Sequence, residues 1–276
     1  MIAVAGGTGR LGTRLVRRLT DRGLPVRVLT RDPSRAQHLA GAAEIVTCDV
    51  RDRASLPAAL HSVATVVSAV HGFAGPGRVS PKSVDQQGNA NLIDAAAEIG
   101  ADVVLMSVVG ASAEHSMELF RAKHAAEEHL RASGVGWTIV RATAFVELWA
   151  EIMTKPIVFG RGENPINFVS VDDVAAVLER AVMDAELRGR VIEVGGPQNL
   201  TFNELAGLLG DVRGRPAKVR HVPRRLLRAI APFARQPRAA LAMDTIDMTF
   251  DAPAAAHASA RLPMTDIKAA LTRAAK

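Results

Sequence analysis

Three glycines at a spacing of three, Gly6, Gly9 and Gly12, stand between an apolar run from Ile2 to Ala5 and a stretch with Leu11, Leu15, Val16 and Leu19 on one helical face. Strand, glycine turn and helix in that order make a site for the phosphates of a dinucleotide. Glycine at 6 permits a tight turn, glycine at 9 lets the backbone approach a pyrophosphate, and glycine at 12 lets the helix pack on the strand. The first helical turn adds N–H groups without internal partners and a partial positive charge. The turn residues Thr8, Arg10 and Leu11 therefore join the glycines as cofactor-binding candidates.

Further candidates lie where other apolar runs end. The second run stops at Thr30-Arg31. An acidic residue there would suit the ribose 2′-hydroxyl of NAD(H), whereas an arginine suits the 2′-phosphate of NADP(H), which it can grip with two donors. Arg35 adds a second cation, and Asp32-Pro33-Ser34 reads as a turn and helix start. The expectation is NADP(H) in preference to NAD(H), with Arg31 as a plain surface residue the alternative. The third run ends in Asp49-Val50, where the carboxylate either accepts from the adenine amino group or caps the next helix, a role Asp52 fits better. The fourth ends in Ser68-Ala69-Val70-His71, small residues that let backbone lie along the ribose and pyrophosphate. His71 either faces the nicotinamide or is a solvated loop residue. The fifth ends at Ser107, whose hydroxyl would meet a substrate carbonyl. Lys123, on the following helix, would hold the nicotinamide ribose, protonate a reduced product, or form an exposed pair with Glu127 one turn on.

The elements that must position these residues alternate. Short Val- and Ile-rich runs at 2–5, 26–30, 44–48, 65–70, 102–107, 137–141 and 191–194 read as strands buried on both faces. Helical patterns fill the gaps near 10–22, 34–40, 54–61, 83–99, 116–132 and 172–184. This predicts an α/β fold with a doubly wound parallel Rossmann sheet of about seven strands, with ligands at the carboxyl ends. The rhythm breaks after residue 142. The expected division is a nucleotide-binding domain of 1–142 plus 169–196, and a small, mainly helical lobe of 143–168 plus 197–276. Phe145, Trp149 and Met153 in that lobe, with His71, are candidates for an apolar substrate pocket. The stretch also holds Phe159 and Phe168, and core packing is an equal reading for Phe168. The Ala-rich stretch 252–260 is compositionally simple and is expected to be poorly ordered.

Composition narrows the classes. The chain has 276 residues, 48% hydrophobic, with one cysteine and a net charge of +6. No run of about twenty apolar residues suggests a membrane span, and a first strand at Ile2 leaves no room for a leader. A single cysteine, Cys48, excludes an internal disulfide and a thiolate metal cage. A soluble cytoplasmic protein is expected. Nine Arg or Lys residues fall between 213 and 238. They suit an anionic partner or a solvated helix face, and only Phe233 interleaves them, so no nucleic acid is expected. Ser170 and Asp172 read as helix caps rather than metal ligands. The Gly-x-Ser-x-Gly turn of a serine hydrolase is absent.

Taken together, several segments resemble the atypical, extended-type short-chain dehydrogenase/reductase superfamily, and within it the NmrA-like and isoflavone-reductase-like group. These are the glycine turn, Val26-Arg27-Val28-Leu29-Thr30-Arg31, Asp49, the segment from Gly88 to Ala96, Ser107, Lys123, Trp137-Thr138-Ile139-Val140-Arg141, the segment from Phe168 to Ala175, and Val194-Gly195-Gly196-Pro197. The resemblance covers roughly residues 1–210 and implies NAD(P)H binding. It also makes the 83–99 and 116–132 helices candidate faces for a homodimer.

One departure bears on mechanism. The family's usual acid is a tyrosine four residues before the lysine. Leu119 stands at that position, and the chain has no tyrosine. Three readings follow. The protein is a reductase of a small hydrophobic quinone, enone or carbonyl, with Lys123, Ser107 or water as proton source. Or it binds NADP(H) without turnover and signals to a regulatory partner, as NmrA-like regulators do. Or it is a structural or chaperone-like protein on a degenerate enzyme scaffold.

Overall fold

The structure is a computed structural model that describes residues 1–72, 79–155, 157–214, 218–251 and 264–274. The strands are β1 (Ile2–Ala5), β2 (Val26–Thr30), β3 (Glu44–Thr47), β4 (Thr65–Ser68), β5 (Asp102–Val108), β6 (Trp137–Ala142), β7 (Ala144–Phe145), β8 (Ile157–Phe159), β9 (Ile166–Val169), β10 (Arg190–Val194), β11 (Gln198–Leu200) and β12 (Arg220–Val222). The helices are α1 (Arg10–Asp21), α2 (Leu56–Ala59), α3 (Gln87–Glu98), α4 (Glu118–Ala132), α5 (Val146–Ile152), α6 (Val171–Met183), α7 (Phe202–Val212), α8 (Arg224–Ile230), α9 (Arg235–Met243) and α10 (Ile267–Ala274).

Two compact units emerge, Met1–Arg141 with Val174–Glu193, and Ala142–Asp173 with Val194–Lys276. The chain passes from the second unit to the first inside α6, five residues beyond the expected boundary at 168/169.

The first unit is built on a seven-stranded parallel sheet in the order β10-β6-β5-β4-β1-β2-β3. β1 lies between β2 and β4, with Ile2 opposite Val26 on one side and Thr65 on the other. The chain winds one way through β1, β2 and β3, then returns to β4 on the far side of β1. That reversal opens a crevice at the carboxyl ends of β1 and β4, where doubly wound sheets bind ligands. All four residues of β1 are buried, as a strand covered on both faces requires. Helix α1 buries Leu11, Leu15, Val16 and Leu19 at helical spacing.

Three connections differ from the expected helices. Pro33–Leu39 is a three-ten turn, started by Asp32, whose carboxylate accepts the Ser34 N–H at 3.0 Å. Only Leu56–Ala59 of the segment 54–61 is α-helical, after a short turn at Arg53–Ser55. Before α3 the chain makes a wide π-type turn over Pro81–Gln86, capped by reciprocal hydrogen bonds between Ser80 and Ser83.

The second unit contains more strand than its sequence suggests. It holds a three-stranded sheet in the order β11-β9-β7 and a parallel pair of β8 with β12, beside helices α5 and α7–α10. These strands have two to four residues each, too few for the alternation by which a strand is recognised. Phe168 is fully buried and meets Phe202 edge-on, with ring centroids 6.1 Å apart. It is a core residue of this unit. The Ala-rich stretch 252–260 lies outside the described residues.

Candidate nucleotide site and catalytic edge

The turn from β1 into α1 is made almost wholly of backbone. Gly6 has φ +80°, and a Cβ there would come within 2.6 Å of the Ala69 carbonyl oxygen, so the turn after β1 lies against the turn after β4. A Cβ on Gly12 would overlap the Gly6 carbonyl oxygen. Gly9 donates its N–H to Gly6 at 2.9 Å and caps α1 with no side-chain hydrogen bond. No acidic residue stands in the first turn. A Cβ at Gly9 would meet only the Gly6 oxygen, at 3.2 Å, with nothing else within 4 Å. The start of α1 thus has no side-chain cap from its N-cap residue, beside a surface kept flat by glycine. Those features fit the diphosphate of a dinucleotide. Thr8 and Arg10 are half-buried at this turn, and Leu11 is buried.

At the end of β2, Asp32 faces away from the role of ribose acceptor. Its carboxylate accepts both the N–H and the hydroxyl of Ser34, at 3.0 and 2.6 Å, and Ser34 holds it below the usual carboxylate range. Arg31 and Arg35 are exposed and carry the charge of this rim. Asp49 is gripped by Arg51 through Nε at 3.0 Å and Nη2 at 2.6 Å, and this fork lowers its carboxyl pKa. Any bond to adenine would use the acceptor capacity left beside that guanidinium. Asp52, not Asp49, caps the next turn, accepting from Ala54 at 3.1 Å. Val50 is buried, and its carbonyl accepts from Asn91. Beside it Cys48 is buried, and burial pushes its thiol pKa up.

Behind the ends of β4 and β5 lies a cluster of buried side chains. The Ser68 hydroxyl donates to Asn89, and Asn89 donates to the Asp85 carbonyl at 2.7 Å. Lys123, only 3% exposed, donates to the carbonyls of Val70 at 3.1 Å and Met106 at 3.0 Å, and its Nζ lies 3.1 Å from Asp85 Oδ1. Asp85 is fully buried, and its Oδ2 accepts the Gly72 N–H at 2.8 Å. Burial alone would raise its carboxyl pKa, but Lys123 and His71 outweigh that and hold it low. Ser107 donates to Glu127 Oε1 at 2.5 Å. Glu127 also receives Arg141 at 2.6 Å and Arg131 at 3.3 Å.

One expectation needs correction here. Lys123 does not pair with Glu127 on the surface. Its partner is Asp85, because Arg141 on β6 and Ser107 on β5 already occupy Glu127. Ser107 and Lys123 are both buried, and their donors meet groups of the fold. Ser68 likewise gives its hydroxyl to Asn89 rather than to a ribose. Ala69 and Val70 stay half-buried and offer backbone. Asp85 escaped the sequence reading, and Asn89, Glu127 and Arg141 were named there without a place in this cluster. The available signal was polar side chains four residues apart on otherwise apolar helix faces, Asp85 with Asn89 and Lys123 with Glu127.

The pocket candidates divide between the units. His71 is in the first, half exposed, with Nδ1 3.6 Å from Asp85 Oδ1. Phe145, Trp149 and Met153 are in the second. Met153 is buried and Phe145 half-buried, and Trp149 tilts against Phe202 at 4.6 Å between centroids. Much basic charge of this unit is used internally. Arg213 donates to the carbonyls of Ala150 and Met153, and Arg224 lies 2.7 Å from the buried Asp244. The paired Asp172 and Asp173 also act within the fold: the Asp172 N–H bonds Ser170, and Asp173 accepts two bonds from Thr265. Among the described residues no His, Cys, Asp and Glu group could hold a metal ion, and no helix is long and apolar enough to cross a membrane.

A family profile for NAD(P)H-binding proteins matches residues 6–185. The NAD(P)H azoreductase of Xenophilus azovorans is 32% identical over 226 residues, 79% of this chain and 76% of that protein. Photosystem II assembly factor Ycf39 of Synechocystis is 28% identical over 242 residues, 85% of this chain and 74% of that protein. The crystal structure of an Escherichia coli NADPH-dependent quinone oxidoreductase with NADPH superposes with a TM-score of 0.80 at 20% identity, over the full length of both chains. The glycine turn, the seven-stranded sheet and these matches make the chain a member of the NAD(P)H-binding family that this profile describes.

Proposed function

We propose that this protein is an NADPH-dependent reductase of a small hydrophobic acceptor, a quinone, enone, azo compound or activated carbonyl. The observation that carries the reading is the turn at Gly6, Gly9 and Gly12, whose helix start is left without a side-chain cap, next to a β2 rim whose carboxylate is spent on Ser34 and whose exposed charges are Arg31 and Arg35. When bound, the reduced nicotinamide supplies a hydride. The chain binds and orients. Backbone N–H groups at the start of α1 hold the diphosphate. Arg31 and Arg35 hold the 2′-phosphate, and Asp49 receives the adenine edge. Lys123 and Ser107 act by position, fixing the carbonyl ends of β4 and β5 and the side of α4 that faces them. The azoreductase relative supports turnover.

A second reading has its own support. With Lys123 and Ser107 both committed inside the fold, the scaffold could hold NADP(H) without chemistry, and one relative is named an assembly factor rather than an enzyme. The two are separated by calorimetric titration with NADPH and NADH, followed by an acceptor panel read at the reduced-nicotinamide absorbance. Tighter binding of NADPH with oxidation on at least one acceptor is the expected result. Tight binding with no oxidation across the panel would select the regulatory reading, and no binding of either nucleotide would overturn both.

A further inference from the structure

Hydride transfer to a quinone, enone or azo bond leaves a negative charge on oxygen or nitrogen, and that charge needs a proton. The chain has no tyrosine to give one. Ser107 points its hydrogen at Glu127, and Lys123 is surrounded by two carbonyls and a carboxylate. Among the described residues, a further titratable side chain at the carboxyl end of β4 is His71, three residues past the strand and half exposed. Its Nδ1 lies 3.6 Å from Asp85 Oδ1. That oxygen is fully buried and is shared between the imidazole and the Lys123 ammonium. Its sister oxygen is pinned by the Gly72 N–H at 2.8 Å, and Lys123 lies 3.1 Å from Oδ1 itself.

A buried carboxylate behind an imidazole does two things. It fixes the Nδ1–H tautomer, which turns Nε2 outward, and it stabilises the protonated ring. The wide turn at Pro81–Gln86 brings Asp85 under the end of β4, and π-type turns recur where a helix must present a functional side chain.

We propose that His71 is the proton donor of the reductase, oriented by Asp85, with Lys123 as a positioning residue that keeps Asp85 ionised. The inference rests on the reductase reading. The acceptor gains a hydride with its electron pair and is reduced, while the nicotinamide is oxidised to its cation. The Nε2–H bond of the imidazolium breaks, an O–H or N–H bond forms on the acceptor, and the neutral ring recovers its proton from water. Charged groups beside the imidazole include Asp85, from the turn before α3, and Lys123, from α4, acting through Asp85.

The test uses two readouts on the full chain. Nitrogen-15 NMR of the histidine rings in the protein without nucleotide should show neutral His71 carrying its proton on Nδ1, and Asp85→Asn should return it to the commoner Nε2–H form. A His71 whose Nδ1 is bare in the parent protein overturns the proposal. In turnover, His71→Gln at this half-exposed position should lower kcat roughly 100-fold with NADPH affinity unchanged. Should Asp85→Asn fail to fold, the His71→Gln variant and the parent spectrum still decide. An active parent with a His71→Gln variant of equal kcat overturns the His71 role and leaves the reductase reading standing. A parent inactive on every acceptor sinks the reductase reading and this role with it.

Discussion

At the end of β1 the chain presents main chain: glycines, an uncapped helix start and no acidic side chain in the first turn. Behind the ends of β4 and β5 it presents the reverse, a set of buried side chains whose donors nearly all meet an acceptor of the same unit. The two regions face the same crevice edge yet follow opposite rules. Polar groups left unanswered at a helix start are held for a ligand, because water or a phosphate can still reach them. Polar groups deep behind strands cannot wait for a ligand and must be answered by the fold. A motif with open valences therefore marks binding, and a motif with closed valences marks support. Lys123 and Ser107 have the residue types of catalysis and the environment of support.

That contrast is most directly broken at Lys123. Replacing it by methionine leaves Asp85 charged and buried without its cation, and should cost about 3–5 kcal/mol of unfolding free energy in a denaturant titration. A cost under about 1 kcal/mol would mean the cluster is solvated and not structural. The glycine turn should respond the other way round. Gly9→Val is expected to weaken NADPH by at least about 100-fold, roughly 2.8 kcal/mol, while leaving the melting temperature nearly unchanged, since a Cβ there meets only one atom. A variant that melts early and binds normally would reverse the assignment. A smaller effect sharpens the picture at the rim: Arg31→Asp should weaken NADPH about tenfold more than NADH, roughly 1.4 kcal/mol, and equal losses by calorimetry would remove the 2′-phosphate role.

The smallest expected effect is in acid. Asp85 has its carboxyl held below the ordinary range by Lys123 and His71 against the opposing effect of burial. A depressed native pKa gives stability that is present above the unfolded value near 3.9 and lost as pH falls through the native one. Melting temperatures recorded from pH 7 down to 3 should therefore decline at the acid end. The loss attributable to this group should be missing from Lys123→Met. An identical acid slope in that variant would show that other carboxylates set it.

Much of the first unit could be read from residues alone, because its strands are short Val-rich runs and its helices carry clear apolar stripes. The turn at Gly6 was legible for the same reason: its chemistry is local, and spacing along the chain is the spacing in the site. The cluster around Asp85 was not, because its partners come from four separate segments, β4, the turn before α3, β5 and α4. A local rule paired Lys123 with Glu127 one turn away. It could not see that Arg141, fourteen residues past Glu127 along the chain, would arrive on β6 and take that carboxylate. Strands β7, β8, β11 and β12 failed for a different reason. Two or three residues show no alternation, and such strands exist only because a neighbour is there to pair with.

Cys48 carries a practical consequence. It is the chain's one cysteine, it is buried against Ser55, and its thiol resists ionisation. Thiolate is the species that maleimides and iodoacetamides capture, so the native chain should be nearly silent to them. A cysteine placed by mutagenesis at any exposed position then becomes the single handle for a fluorophore or spin label, with the parent protein as its own blank.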